Sequence, residues 1–126
     1  MKKAFLTSRA PKPVGPYSQV IQAGQFLFLA GQVPLTPDGT MLEGDITRQA
    51  RQVLENLKAV LEQAGATMDH VVRTTIFLAK LDDFEKVNQV YAEFFEEPYP
   101  ARSTVEVCKL PKGASLEIDA IAMLTP

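Results

Sequence analysis

A change of hydrophobic period near Thr47 constrains this chain more than any other feature. Ala50, Val53, Leu54, Leu57, Val60, Leu61 and Ala64 recur at the i, i+3, i+4, i+7 spacing of an amphipathic helix. Asp45 or Thr47 can cap its start, and Gly65 stands where a left-handed residue closes such a helix. On either side the pattern is that of strands. Tyr17 to Gln22 alternates, Gly24 interrupts, and Phe26-Leu27-Phe28-Leu29-Ala30 resumes, which predicts two strands and a tight turn. Pro34 to Asp45, with Pro37-Asp38-Gly39-Thr40 inside it, reads as a surface loop or a small hairpin. His70 to Lys80 is β-branched and mostly apolar, as a central strand should be. Asp82 and Asp83 are expected to cap a second helix whose buried stripe is Phe84, Val87, Val90 or Tyr91, and Phe94. Arg102 to Lys109 and Leu116 to Leu124 alternate again. Leu110 to Ala114 lies between them, so a hairpin is the simplest connection.

Each helix must bury one face, which places both on one side of a single mixed sheet. The expected fold class is therefore α+β, with one domain over residues 1–126. A chain of this length buries roughly two-thirds of the surface that its unfolded form exposes, enough for a core without disulfides. With both helices on one side, the opposite sheet face is left bare, although the strands carry apolar residues on both parities. An exposed apolar sheet is unusual for a monomer, and other copies of the chain in closed cyclic symmetry are its expected cover.

Composition removes several function classes. Hydrophobic residues make up 46% and charged residues 22%, which is globular and not disordered. The net charge of −2 and pI near 5.4 leave nothing that would grip a nucleic-acid backbone, so nucleic acid is an unexpected partner. One Cys and one His form neither an internal disulfide nor an ordinary zinc site, so no metal is expected. No run approaches the ~18 apolar residues of a membrane span. The start, Met1 to Leu6, resembles an export signal but turns polar and Pro-rich at Thr7 to Pro13, so a mature cytoplasmic protein is expected. Phosphate loops, dinucleotide fingerprints and nucleophile elbows are all missing, and no cofactor is implied. His70, alone before a strand, reads as a surface or capping residue, and Cys108 as a small hydrophobe.

Four other positions hold more chemistry. Arg102 opens a strand after the stiff Pro98-Tyr99-Pro100-Ala101 segment. It is either an edge-strand charge that blunts aggregation or a fixed guanidinium suited to bidentate capture of a carboxylate. Glu117, with Asp119 two residues on and so on the same side, is either part of a wet sheet face or a carboxylate that activates water. Tyr17 follows Val14-Gly15-Pro16 and is a half-buried strand aromatic or a cleft wall. Gly31 is a plain turn glycine or a point where backbone approaches a ligand closely. In a hairpin centred near Lys112, Arg102 would pair near Ile121 and Glu117 near Glu106, roughly 13 Å apart at ~3.3 Å per residue. A site assembled across a subunit boundary would close that gap more easily.

Seven segments together are similar to one known family. Gly15-Pro16-Tyr17-Ser18-Gln19, Ala30-Gly31-Gln32-Val33-Pro34, Gln49 to Gly65, Val71-Val72-Arg73-Thr74-Thr75, Val87-Asn88-Gln89-Val90-Tyr91, Pro100-Ala101-Arg102-Ser103-Thr104 and Leu116-Glu117-Ile118 occur in order and nearly end to end. They resemble the RidA/YjgF family of reactive-intermediate deaminases. The resemblance implies a chorismate-mutase-like fold and a homotrimer with clefts between subunits. It also implies hydrolysis of 2-imino acids, such as 2-iminopropanoate and 2-iminobutanoate, to 2-oxo acids and ammonia. By motif, it makes Arg102 the carboxylate anchor and Glu117 the acid that positions water. Tyr17 would line the cleft, the backbone N–H groups of Gly31 and Thr104 would hold substrate, and Asn88 and Pro111 would lie nearby. Many relatives carry Cys where this chain has Thr104, which is harmless if only the amide acts. Competing readings are a non-catalytic sensor of 2-oxo acids and, with less support from charge, an RNA-directed endoribonuclease or translation inhibitor.

Overall fold

A computed structural model describes residues 1–124; the last two positions of the expected 1–126 domain lie outside the described residues. Six strands form one sheet: β1 (Lys2–Phe5), β2 (Val20–Ala23), β3 (Phe26–Gln32), β4 (Val71–Leu78), β5 (Ala101–Glu106) and β6 (Leu116–Met123). Two helices, α1 (Ile46–Gln63) and α2 (Phe84–Phe94), interrupt them. Helix α1 starts as its sequence demands, with the Asp45 carboxylate accepting the Thr47 amide at 3.0 Å. It ends at Gly65, whose φ of +83° suits glycine. The second helix departs from expectation. Leu81–Asp83 form a separate 3₁₀ turn, and Asp83 stands at the N-cap position without a side-chain capping bond.

The sheet runs in the order β1-β2-β3-β6-β4-β5. Only β4 and β5 are parallel, joined by the α2 crossover, and the remaining pairs are antiparallel. The expected hairpin between the last two strands is therefore wrong. β6 pairs with β3 and β4, β5 pairs with β4 alone, and Arg102 and Glu117 lie opposite Thr74 and Phe77. Burial explains the choice. Leu116, Ile118, Ala120 and Ala122 of β6 are all buried, and a strand so apolar gains most between two neighbours. β5 carries exposed Val105 and Glu106 and takes the edge, where charge is tolerated. β1 was not expected from the sequence. It extends the sheet by pairing Lys2 to Phe5 with Ala23 to Val20.

The core lies on one side of the sheet only. Leu27 and Leu29 of β3, Ile76 and Leu78 of β4, and the buried side of β6 meet Ala50, Val53, Leu54, Leu57, Val60 and Leu61 of α1 and Val87 and Val90 of α2. The opposite face is bare, as expected. Ile21, Phe28 and Ile121 form one cross-strand row on it, next to Phe26 and Met123. Phe26 is 42% and Phe28 45% exposed. No helix among the described residues is long and apolar enough to cross a membrane.

Candidate active site

Register decides where the two principal side chains point. Arg102 pairs with Thr74 and Glu117 with Phe77, and these two partners are three residues apart on β4. An odd separation on a strand means opposite faces. Arg102 is therefore on the helix-covered side, at the sheet edge, while Glu117 is on the bare side. Within one chain they occupy two separate clefts.

The first cleft, of about 320 Å³, is lined by Arg102 with Asn88, Tyr91 and Ala92 of α2 and with Tyr99 and Pro100. The guanidinium lies against aromatic rings, 4.9 Å from the centroid of Tyr91 and 5.5 Å from that of Phe84. The ion pairs of the described residues are Arg9 with Glu62 and Arg51 with Glu93, so no protein carboxylate neutralises Arg102. A half-buried guanidinium without a carboxylate partner has the donor geometry to receive an anion. Thr104, two residues along β5, is on the same side as Arg102 and borders Leu81, Asp82, Phe84 and Glu85, outside the Arg102 cleft itself. The amide of Val107 is donated to the Leu78 carbonyl. By the period-two alternation of a strand with a single neighbour, the Thr104 amide then turns away from the sheet, available to a ligand.

The second cleft, of about 450 Å³, gathers Glu117 with Tyr17, Gly31, Pro111, Lys112 and the segment Pro11 to Val14. β3 departs from regular pairing with β6 between Leu29 and Gln32, and Gly31 lies inside that irregularity. Its missing side chain matters, because a Cβ there would stand 2.1 Å from Oε2 of Glu117 and 2.9 Å from its Cγ. Gly31 is thus the seat of the Glu117 side chain, which its sequence context did not reveal. Burial pushes the Glu117 carboxyl above its ordinary range, and the neighbouring charge of Asp119 adds to the rise. A carboxylate poised higher than usual is a better proton acceptor near neutrality. Tyr17 is 53% exposed and irregular rather than in a strand, its hydroxyl accepting the Val14 amide at 3.4 Å.

Two buried amides that sequence reasoning missed hold the walls of this cleft. Gln19 accepts the Thr7 amide at 2.8 Å and donates to the carbonyls of Thr7 and Pro11, which pins the Pro-rich segment. Asn56, from inside α1, donates to the Leu35 carbonyl at 2.9 Å and fixes the opposite loop. The available signal was a polar residue at a position whose periodicity calls for burial, since buried amides are kept only where they are satisfied. Cys108 is exposed rather than a packed hydrophobe. His70 ends a short 3₁₀ turn and accepts the Thr67 amide through Nδ1 at 2.9 Å, in keeping with a capping role. Among the described residues no group of His, Cys, Asp and Glu side chains could hold a metal ion.

The class so defined is a small α+β protein with a guanidinium, unpaired among the described residues, in a cleft on one side of its sheet and a carboxylate of raised pKa in a cleft on the other. Comparison with known proteins carries this to a family. The family model described as Endoribonuclease L-PSP matches residues 7–124. The RutC family protein PH0854 of Pyrococcus horikoshii is 54% identical over 123 residues, covering 97% of this chain and 98% of that one. TdcF of Escherichia coli, provisionally named a reactive intermediate deaminase, is 43% identical over 98% of both chains. Its crystal structure with bound serine superposes with a TM-score of 0.92, covering 98% of this chain and 99% of that one. YyfA of Yersinia pestis, described as a member of the conserved Rid protein family, superposes with a TM-score of 0.96 at 48% identity over 98% of this chain and all of that one. The chain belongs to the RidA/YjgF family.

Proposed function

We propose that the protein is a cytoplasmic 2-iminobutanoate/2-iminopropanoate deaminase. In this reading it is a homotrimer in which the Arg102 cleft of one copy faces the Glu117 cleft of the next. The observation that carries the proposal is the separation itself: the Arg102 guanidinium and the Glu117 carboxylate lie on opposite faces of one sheet. A second copy seated on the bare apolar face is the simplest way to join them, and that face needs a cover in any case. The RidA/YjgF membership and the deaminase name of TdcF support the same activity.

The chemistry requires few groups. Arg102 grips the substrate carboxylate in a bidentate pair and so fixes the imine carbon. Glu117 takes a proton from water as the oxygen adds to that carbon, giving a carbinolamine. It returns that proton to nitrogen, then moves the hydroxyl proton to the same nitrogen as the C=O bond forms and the C–N bond breaks, releasing ammonia and a 2-oxo acid. Such imines already hydrolyse in water, so one positioned general base, typically worth ~10²–10⁴-fold, together with orientation is sufficient. Neither step calls on a metal or an organic cofactor.

The test is a coupled assay in which a threonine or serine dehydratase generates the imine. Faster 2-oxo-acid release with the protein present, lost in Arg102→Ala while the oligomer persists, is the expected result. Full activity in Arg102→Ala would end the proposal. TdcF was crystallised with serine bound, which keeps a sensing role as the second reading. A sensor would bind 2-oxo acids equally well after Glu117→Gln and turn over nothing in either form. The RNA reading rests on the family's description alone, and tight RNA retention in a filter-binding titration at moderate salt would favour it over both.

A further inference from the structure

Helix α2 presents one stripe to the Arg102 cleft, with Phe84, Asn88 and Tyr91 at i, i+4 and i+7. The guanidinium lies between the two rings of that stripe, within the ~6 Å at which a cation is held by an aromatic face. Tyr91 is itself fixed. It is buried, and its phenol shares a 2.8 Å hydrogen bond with the hydroxyl of Thr74. Thr74 is also the residue beside Arg102 in the β4–β5 ladder. The three residues therefore close a ring: Thr74 stands beside Arg102 in the ladder, its hydroxyl bonds the Tyr91 hydroxyl, and the Tyr91 ring packs against the Arg102 guanidinium.

This ring solves a problem that Arg102 would otherwise have. An arginine with no carboxylate partner samples many rotamers, and ordering it on ligand arrival costs affinity. Rings packed against a guanidinium restrain that motion while leaving the N–H donors, which lie in its plane, free to bond. They also exclude water beside the charge, which strengthens its pull on an incoming carboxylate. We propose that Tyr91 and Phe84 are positioning residues that hold Arg102 in the plane needed for bidentate carboxylate capture, with Thr74 locking Tyr91. The inference rests on the reading of Arg102 as the carboxylate anchor.

The test uses the intact oligomer, with 2-oxobutanoate titrated calorimetrically beside steady-state imine hydrolysis. Phe84 is partly exposed, so Phe84→Leu should fold normally. That substitution is expected to raise both the 2-oxobutanoate Kd and the KM by about tenfold with kcat nearly unchanged, the scale of a partly desolvated cation–π contact. Tyr91→Phe, which keeps the ring and loses the Thr74 bond, should fall between wild type and Tyr91→Leu. In an Arg102→Lys background the effect of Phe84→Leu should shrink to under about twofold, because the planar fork it serves is gone. The proposal is overturned if Phe84→Leu leaves Kd and KM at wild-type values, or if its effect is undiminished in Arg102→Lys. If instead Arg102→Ala binds 2-oxobutanoate normally, the anchor reading fails, and the positioning role fails with it.

Discussion

Glu117 lies where the side chain of residue 31 would be, with Oε2 placed 2.1 Å from the position of a Cβ on Gly31. The backbone at Gly31 is not in the left-handed region, so alanine is conformationally acceptable there and only the collision matters. Gly31→Ala should therefore fold with a nearly unchanged melting temperature while displacing the Glu117 carboxylate. Imine hydrolysis is expected to fall by ~10²-fold or more, approaching the loss in Glu117→Gln, since a general base acts only within hydrogen-bond reach. Steady-state kinetics beside thermal melts decide it; wild-type kcat in Gly31→Ala would mean that Glu117 works from another position.

The electrostatics of Glu117 give a pH prediction. Burial is the main cause of its raised pKa and the Asp119 charge the second. Catalysis by the carboxylate form then rises with pH through an apparent pKa above the ~4.3 of an unperturbed glutamate. Asp119→Asn removes the repulsive contribution, so the acid limb of kcat/KM should move to lower pH. Stability carries the corresponding sign. An acid whose pKa is raised on folding contributes a penalty once it is ionised, absent below the unfolded value and fully present above the folded one. Glu117→Gln should consequently melt no lower than wild type at pH 7, and the advantage should vanish in acid. A lower melting temperature for Glu117→Gln at pH 7 would contradict this account.

Much of the framework was legible in the sequence because the features that set it are local. The α1 stripe from Ala50 to Ala64, the Asp45 cap and the alternation of β3 and β6 each need only a few neighbouring residues. Strand order is different, since it reflects which strand gains most from two neighbours, a property of the whole sheet. The hairpin reading failed there: Leu110 to Ala114 looked like a turn, yet β6 goes to the centre and leaves β5 at the edge. The seat of Glu117 on Gly31 depends on β3–β6 pairing and was hidden for the same reason. Arg102 and Glu117 stood out by residue type, but their placement on opposite faces follows from a register that no short segment encodes. β1 escaped because Lys2 and Lys3 mask its alternation.

The bare sheet face supplies a separate test. Phe28 is nearly half exposed in the single chain and adjoins Ile21 and Ile121 across the strands. A charge there costs little in an isolated chain but would be desolvated without a partner in an interface. Phe28→Glu should therefore convert the oligomer to folded monomers, seen as a smaller mass by light scattering with an unchanged far-ultraviolet circular dichroism spectrum. Activity should disappear in the monomer although both clefts remain intact. A monomeric wild type, or a fully active monomeric variant, would contradict the shared-site arrangement.

The shared site also predicts complementation between two inactive variants. Arg102→Ala spoils one cleft and Glu117→Gln the other, and each homo-oligomer should be inactive. If every site takes its arginine from one copy and its glutamate from the next, a mixed ring regenerates intact sites. Such a site arises wherever the arginine comes from a Glu117→Gln chain and the glutamate from an Arg102→Ala chain. With equal amounts of the two chains, random assembly gives about a quarter of wild-type activity after unfolding and co-refolding. Simple mixing without subunit exchange should give none. If both groups acted within a single chain, every site in every mixed ring would lack one of them, and co-refolding would restore nothing. The recovered fraction thus reads directly whether the guanidinium and the carboxylate that meet at the substrate belong to different copies.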